Sequence, residues 1–248
     1  MKQAAYALDP VRWSNERLGY HPDKWAQAVM MSPARYVIEN VSRQAGKSTC
    51  SAAMAVHQAV FFPDSLVLVV SPTLRQSGEL QRKAMRFYDK VDPDHEKLAE
   101  DTKLSVQLTN GSRIVSLPGM EDNLRGYSAP ALIISDEDSR VSDELYIAIR
   151  PMLATNNGRL ILLSTPNGKA HHFYEIWTTG GPEWLKILVT ADQIPRISEE
   201  YLANERLNMS AAKYRREFCG EFMEAEGAIF SSELFKSLAN PAIAALKI

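Results

Sequence analysis

Residues 36–49 read YVIENVSRQAGKST, and this stretch decides the fold. Its apolar, β-branched start predicts a strand, its middle is a loop of small and polar residues, and Gly46-Lys47-Ser48 opens a helical segment. Strand, loop and helix in this order are typical of a phosphate-binding loop, G-x-x-x-x-G-K-[ST]. The backbone N–H groups of such a loop surround phosphate oxygens, the lysine reaches the β- and γ-phosphates, and the hydroxyl binds Mg²⁺.

The loop departs from this pattern at one position, because Val41 stands where the first glycine is expected. A Gly-Lys-Ser tripeptide at a helix start also occurs by chance, and alone it would predict little. The strand before it and the helix after it favour the phosphate-binding interpretation. The positive end of the helix dipole near Lys47 would strengthen the attraction for an anion.

The composition is that of an ordinary globular protein. The chain has 248 residues, of which 45% are hydrophobic and 23% charged, enough for one large α/β domain. A net charge of −2 is no global sign of a polyanion-binding protein, so contacts with nucleic acid would need a local patch or an assembly. Cys50 and Cys219 fit reduced thiols in a cytosolic protein. The chain lacks an apolar run of membrane-spanning length and the apolar core of a signal peptide, so a soluble intracellular protein is expected.

Apolar runs of strand length recur along the chain. They cover residues 65–71, 131–137 and 159–164, and a further strand is predicted near residues 184–190. Such unbroken runs are typical of strands buried on both faces of a sheet. Helical patterns alternate with them at residues 51–62, 78–89, 142–153, 172–177, 199–208 and 211–218. The alternation predicts an α/β fold with a mainly parallel sheet and helices on both faces.

Three further segments complete the prediction. Residues 104–108 and 113–117 flank an Asn-Gly turn, which predicts a β-hairpin. Residues 92–103 are polar and are predicted to form a loop with some helix. The residues before 35 read as short amphipathic helices broken by Pro10 and Pro22.

Several predicted strands end in polar loops that carry chemistry. In open α/β sheets, ligands bind outside the carboxyl ends of the strands. Asp136 follows an apolar run and fits a carboxylate that holds the Mg²⁺ shell together with Ser48, while Glu137 would orient and activate the water that attacks the γ-phosphate. An acidic pair after a strand is common and means little alone. In a chain with a phosphate-binding loop, it indicates nucleotide hydrolysis.

Some arginines and lysines are less specific candidates. Arg43 lies inside the loop and could contact the γ-phosphate, and Arg125 could act on the nucleotide of a neighbouring subunit. A lone loop arginine is usually a surface charge. Arg82, Lys83 and Arg86 could meet phosphates, but a charged helix face is usually solvated.

Aromatic and imidazole side chains offer weaker signals. Trp25 could stack on a flat ring and Gln27 could read its hydrogen-bonding edge, although core packing of Trp25 is favoured on the residues alone. His171 and His172 have no further ligand at metal spacing, so they are expected to be exposed or to start a helix.

Four short motifs follow one another along the chain, and their order and rough spacing indicate a family. They are SRQAGKS at 42–48, NLRG at 123–126, IISDE at 133–137 and LSTPNG at 163–168. Together they resemble the ATPase domain of the large terminase subunit of tailed bacteriophages, the motor that packages DNA into the capsid. The resemblance covers about residues 10 to 230. It implies an additional-strand, RecA-like P-loop NTPase fold that uses ATP and Mg²⁺.

The resemblance also implies residue roles. ATP phosphates would bind to Arg43, Gln44, Ala45, Gly46, Lys47, Ser48 and Thr49. Mg²⁺ would bind to Ser48 and Asp136. Glu137 would be the catalytic carboxylate, with Arg43 as a participant in the chemistry. Arg125 would be the arginine finger offered to the next subunit of a ring. Hydrolysis would be coupled to movement by Ser164, Thr165 and Pro166. Trp25 and Gln27 would serve the adenine side, although Ala26 stands where the family usually has glutamine.

Domain organisation and partners are implied in the same way. Residues 1–230 would form the ATPase domain with a helical lead-in at 1–34, and residues 231–248 a tail or the start of a linker. The family's C-terminal nuclease domain is expected to be missing, and with it DNA cleavage. The expected partners are double-stranded DNA, further copies of the chain in a homo-oligomeric ring on a portal, and a small terminase subunit. No interaction with a membrane is expected. The expected location is the host cytoplasm, for a viral protein that is not packaged in the mature virion.

Two other functions remain open on the sequence. A helicase-like P-loop ATPase would need a second RecA-like lobe, for which 248 residues leave no room. A nucleotide-switch assembly module without sustained hydrolysis would not need the water-activating Glu137.

Overall fold

The structure, a computed structural model, describes residues 2–119, 124 and 126–223. Its strands are β1 (Tyr36–Val41), β2 (Leu66–Ser71), β3 (Leu98–Asp101), β4 (Ser105–Leu108), β5 (Arg113–Pro118), β6 (Leu132–Asp136), β7 (Arg159–Ser164) and β8 (Trp184–Val189). The described strands form one eight-stranded sheet in the order β3-β4-β5-β2-β6-β7-β1-β8. Only the β3–β4 and β4–β5 pairs in this described sheet are antiparallel.

Helices cover both faces of the sheet. They are α1 (Lys2–Leu8), α2 (Pro10–Trp13), α3 (Lys24–Met31), α4 (Lys47–Phe61), α5 (Leu74–Val91), α6 (Asp143–Met152), α7 (His171–Thr179), α8 (Glu199–Asn208) and α9 (Ala211–Cys219). Successive strand residues point to opposite faces, so Ile134 packs in the cluster that contains Leu80 of α5, while Ile133 packs with Leu145 of α6. None of the described helices is long and apolar enough to cross a membrane.

The position of β7 identifies the fold type. β7 pairs with β1 on one side and β6 on the other, so it separates the strand of the loop from the strand of Asp136. The parallel register sets Asn40 opposite Ser164 and Leu163 opposite Asp136. All three strands therefore end at one edge of the sheet. The predicted additional-strand α/β fold with helices on both faces is confirmed.

The helical lead-in packs into the domain. Asp9 caps α2 by accepting a hydrogen bond from Arg12 N at 2.8 Å, and Pro10 occupies the first turn, where a missing N–H costs nothing. The buried ring of Trp13 packs edge-on against His57 and Phe61 of α4. The segment thus contributes to the core beneath the helix of the phosphate-binding loop.

Two predictions of local structure were wrong. Residues 98–101 form the edge strand β3 instead of a loop with helix, since β4 supplies the hydrogen bonds and the exposed polar strand needs no alternating pattern. Helix α5 begins at Leu74 rather than after Ser77. The Thr73 hydroxyl caps it by accepting a hydrogen bond from Gln76 N at 3.3 Å, which starts the helix inside the expected loop.

Candidate nucleotide site

The loop between β1 and α4 turns through two left-handed residues. Gln44 has φ 62° and Gly46 has φ 88° at the N-cap of α4. A side chain at Gly46 would be strained there, and its Cβ would lie 3.4 Å from a guanidinium nitrogen of Arg196. Because α4 starts at Lys47, the amides of its first turn have no partner within the helix and can bind an anion.

Val41 occupies the position of the missing glycine for a packing reason. Its fully buried side chain belongs to a small apolar cluster with Ala45, Val189 and Ile194. Trp25 of α3 packs against the same cluster. The departure from the glycine pattern therefore attaches the start of the loop to β8 and to the N-terminal helices.

Lys47 is buried at the base of the loop, with 8% of its surface exposed. Its Nζ donates hydrogen bonds to the carbonyl oxygens of Val41 at 3.0 Å and Ser42 at 3.1 Å. Burial lowers the pKa of Lys47, while the negative charges of Glu137 and Asp136 oppose that shift. The ammonium is thus held beside the loop by carbonyls that phosphate oxygens can replace.

Ser48 and Asp136 join the loop to the acidic strand. The Ser48 hydroxyl donates a hydrogen bond to Asp136 Oδ2 at 2.9 Å, and Asp136 is 6% exposed at the end of β6. Burial raises the pKa of Asp136, as does Glu137, while the Ser48 contact opposes them. Burial also raises the pKa of Glu39 in β1 to about 8, which favours the protonated form of that carboxyl at pH 7.

The oxygen donors of Ser48 and Asp136 suit Mg²⁺, which prefers hard oxygen ligands and keeps water or phosphate oxygens as the remainder. No cluster of three or more His, Cys, Asp or Glu side chains with metal-binding geometry exists among the described residues. The residues present therefore fit a cation that is bound together with a nucleotide, rather than an all-protein metal cage.

Glu137 lies at the mouth of the same site. It has φ 54° and ψ 40°, an uncommon conformation for a residue with a side chain, and its N–H donates to Asp136 Oδ1 at 3.1 Å. Its carboxylate pairs with Arg140 at 2.8 Å. A cleft of about 460 Å³ is lined by Arg43, Gln44, Ala45, Gly46, Lys47, Ser48, Thr49, Gln76, Lys83, Glu137 and Arg140. The structure thus brings the predicted loop residues and Glu137 to one cavity.

Arg43 is held at the rim of the cleft by α9, the last helix of the described residues. Its guanidinium pairs with the buried carboxylate of Glu217 in α9, and its backbone N–H donates to the Glu217 carbonyl at 3.2 Å. Arg216 contacts the other carboxylate oxygen of Glu217 at 3.1 Å. Asn40 also donates a hydrogen bond to Gly220 O at 2.7 Å. Sequence reasoning missed Glu217, since no local pattern marks a partner so far along the chain.

The predicted coupling segment touches the turn after Glu137. Ser164, Thr165 and Pro166 are buried at the end of β7. The Ser139 hydroxyl lies 2.8 Å from Ser164 Oγ and donates to Thr165 O at 2.8 Å. A displacement of residues 164–166 would therefore move the turn after Glu137, and a displacement of that turn would move residues 164–166.

The predicted adenine-side residues lie beside a separate cavity of about 550 Å³. Trp25 is half-buried, and the Gln27 amide donates to Pro22 O at 2.8 Å. Arg196, which sequence reasoning missed, bonds to both carboxylate oxygens of Asp23 at 2.9 and 2.8 Å and to Ala45 O at 3.1 Å. It ties this helix start to the phosphate-binding loop.

Arg125 lies outside the described residues, as do residues 224–248 with the expected tail. His171 is exposed at the start of α7 as expected, but His172 is buried. The predicted helix start is confirmed for both histidines, and His172 is buried because α7 turns it toward the carboxylates of Asp138 and Asp143.

A family model described as "Terminase large subunit, T4likevirus-type, N-terminal" matches residues 39–237. The chain belongs to the terminase large subunit family. The match includes the loop, the acidic strand and α9, and it confirms the resemblance predicted from four short motifs.

Curated terminase relatives support the assignment. The large subunit of Thermus phage G20c is 25% identical, over 87% of this chain and 52% of the relative. The large subunit of Escherichia phage T5 is 27% identical, over 80% of this chain and 46% of the relative. The chain spans about half the length of the curated relatives it matches.

Solved terminase structures share the fold. The large terminase ATPase domain of Thermus phage P74-26 has a TM-score of 0.78 and 21% identity, over 87% of this chain and all of that one. The large terminase of a thermophilic bacteriophage in complex with ADP has a TM-score of 0.63 and 15% identity, over 81% of this chain and 54% of that one. The same thermophilic-phage terminase has also been solved with ATP-γ-S.

Proposed function

We propose that this chain hydrolyses ATP with Mg²⁺ as the motor domain of a viral DNA-packaging terminase, which translocates double-stranded DNA into a procapsid. The hydrogen bond between Ser48 and Asp136 carries the proposal, because it joins the phosphate-binding loop to the acidic strand with Glu137 beside them. Terminase family membership supports the motor role, and the ADP and ATP-γ-S complexes of the thermophilic-phage terminase support a nucleotide ligand.

The geometry suggests how the residues would divide the chemistry. The amides at the start of α4 and the Lys47 ammonium would bind the phosphates, and Ser48 and Asp136 would hold the cation. A bound cation would supply neutralisation of the phosphate charge. Glu137 orients a water molecule and accepts its proton while the water oxygen attacks the γ-phosphorus. The bond from the γ-phosphorus to the bridging oxygen breaks, and ADP and inorganic phosphate leave.

The proposal is tested by phosphate release from ATP, with and without Mg²⁺ and double-stranded DNA. We expect Mg²⁺-dependent release that double-stranded DNA stimulates. A chain that binds an ATP analogue but releases no phosphate at any protein concentration would instead be a nucleotide switch. That result would overturn the proposed activity.

Arg125 is proposed to complete the site of a neighbouring subunit in a ring. An arginine finger contributes about 10³–10⁵ in rate, so turnover per chain is expected to rise with protein concentration. We expect Arg125→Ala and Lys47→Ala chains to be inactive separately. Mixed together they should regain activity, because a Lys47→Ala subunit can offer its finger to the intact loop of an Arg125→Ala neighbour. The measurement is phosphate release at constant total protein.

Two results would contradict the finger assignment. One is turnover per chain that is independent of concentration. The other is a mixture of the two variants no more active than either alone.

The structure separates three basic residues of α5 that look alike in the sequence. Lys83 lines the nucleotide cleft, while Arg82 and Arg86 line a different groove. Arg82 is also paired with Glu79. We therefore expect Lys83, and not its neighbours, to contact the phosphates.

Replacing Lys83 by alanine is expected to weaken the binding of an ATP analogue about 10- to 150-fold, since a hydrogen bond to a charged group is worth about 1.5–3 kcal/mol. Arg86→Ala is the matched control, with the same loss of charge on the same helix. Calorimetric titration of both variants provides the measurement. Equal losses of affinity would show that only the general positive field of α5 matters.

A further inference from the structure

A buried imidazole lies directly behind the turn that carries Glu137. His172 is 5% exposed, and its Nε2 lies 2.8 Å from Oδ2 of Asp138, which is 1% exposed. Its Nδ1 lies 2.8 Å from Asp143 Oδ1, and the ring stacks on Tyr146 with centroids 4.5 Å apart. Ionised carboxylates only accept hydrogen bonds, so this geometry favours the imidazolium form, in which both ring nitrogens carry a hydrogen.

The charge balance of the cluster agrees with this geometry. Burial acts to lower the pKa of His172, but its contacts with Asp138 and Asp143 outweigh burial and raise it. Burial acts to raise the pKa of Asp143, but hydrogen bonds from the His172 backbone N–H and from the side chains of His172 and His171 hold it down at about 2. The cluster therefore joins three separate segments, namely the turn after β6 and the starts of α6 and α7.

Asp138 is the residue that follows Glu137, and this adjacency links the cluster to the cleft. The left-handed backbone of Glu137 is costly for a residue with a side chain and persists only if its surroundings impose it. Asp136 is held on one side by Ser48, and Asp138 is held on the other by His172. Ser139 adds contacts to Ser164 and Thr165. Glu137 thus lies between two anchored carboxylates, and its own carboxylate pairs with Arg140.

We propose that His172 is a positioning residue, which sets the direction of the Glu137 carboxylate in the cleft by anchoring Asp138. The inference rests on the proposed ATP hydrolysis and adds a residue that contacts neither nucleotide nor cation. It acts on the placement of the attacking water and not on nucleotide binding, because the phosphate-binding loop reaches β6 through Ser48. Loss of the anchor lowers kcat and leaves nucleotide affinity unchanged.

Two substitutions of His172 distinguish the contribution of its Nε2 contact from that of its Nδ1 contact. In His172→Gln the amide nitrogen takes the place of Nε2 and keeps the donor to Asp138, whereas in His172→Asn it takes the place of Nδ1 and keeps only the donor to Asp143. Turnover is measured per nucleotide-binding site, after the number of sites is titrated with an ATP analogue. A loss of folded protein then cannot appear as a loss of kcat.

For His172→Asn we expect kcat to fall about 10²-fold, the cost of a small misplacement of a catalytic group, with unchanged affinity for the analogue. His172→Gln should restore most of the turnover, and the exposed neighbour variant His171→Asn should match the wild type. Should His172→Asn not fold, Asp143→Ala serves instead, since it removes the half-exposed partner of the imidazole. Without that carboxylate the ring loses the Nδ1 contact that fixes its orientation toward Asp138, so kcat should also fall.

Three results would overturn the inference. They are wild-type kcat in His172→Asn, equal losses of kcat in the asparagine and glutamine variants, or wild-type kcat in Asp143→Ala when that variant stands in. Absence of hydrolysis by the unmodified chain would overturn the proposed function itself, and it is recorded before any variant is compared.

Discussion

Replacing Glu137 by glutamine is expected to lower the turnover of ATP by about 10²–10⁴-fold, the usual contribution of a general base. Glutamine keeps the size of the side chain and a hydrogen-bonding oxygen but cannot accept the proton of the attacking water. The backbone of the turn is held by Asp136 and Asp138, so the substitution should leave the cleft intact. The measurement is phosphate release at saturating Mg²⁺ and ATP, beside the affinity for an ATP analogue.

Glu175→Gln is the matched control for this prediction. Glu175 is exposed on α7 and does not line the nucleotide cleft, so its variant carries the same change of charge without touching the site. We expect it to turn over like the wild type. Glu137→Gln at the wild-type rate would assign proton transfer to another group and would remove the main argument for hydrolysis over a nucleotide switch.

Replacing Lys47 by alanine is the second large effect. We expect turnover to fall by about 10²–10³-fold, the cost of removing one preorganised charge or donor from a transition state. The fold should survive. The variant loses two hydrogen bonds to the carbonyls of Val41 and Ser42, but it also removes a buried charge whose pKa is lowered by that burial. Phosphate release and thermal unfolding without nucleotide measure the two parts separately.

The increase in melting temperature caused by a bound ATP analogue tests the role of Lys47 independently of turnover. A ligand that binds only the folded chain raises the melting temperature by mass action. An ATP analogue should therefore stabilise the wild type and the exposed-lysine control Lys213→Ala, and fail to stabilise Lys47→Ala at the same concentration. Equal stabilisation of all three chains would mean that Lys47 does not bind the phosphates.

The phosphate-binding loop was predictable because its physics is local. The apolar run before it, the glycine that tolerates a left-handed backbone and the helix that starts at Lys47 are neighbours in the chain. The same holds for Asp136 and Glu137, which follow a strand that reads as buried on both faces. Here the sequence pattern reports the backbone directly, and the order of motifs was enough to identify the family.

Side-chain partnerships were not predictable in the same way. Glu217 and Arg196 reach the loop from far along the chain, and a charged residue looks the same in sequence whether it is solvated or buried against a partner. His172 illustrates this point, since its neighbour His171 is exposed. Lys83 faces the cleft only because of how α5 is rotated against the sheet.

By itself, the sequence determined the elements that bind phosphate and carry the acidic pair, because local backbone preference and burial pattern specify them. Only the tertiary structure decided that β7 lies between the two halves of the site, that α9 holds Arg43, and that His172 supports the turn after Glu137. These contacts join residues far apart in the chain. The geometry of these contacts is set by helix packing and strand order. Neither can be predicted from a single segment of the sequence.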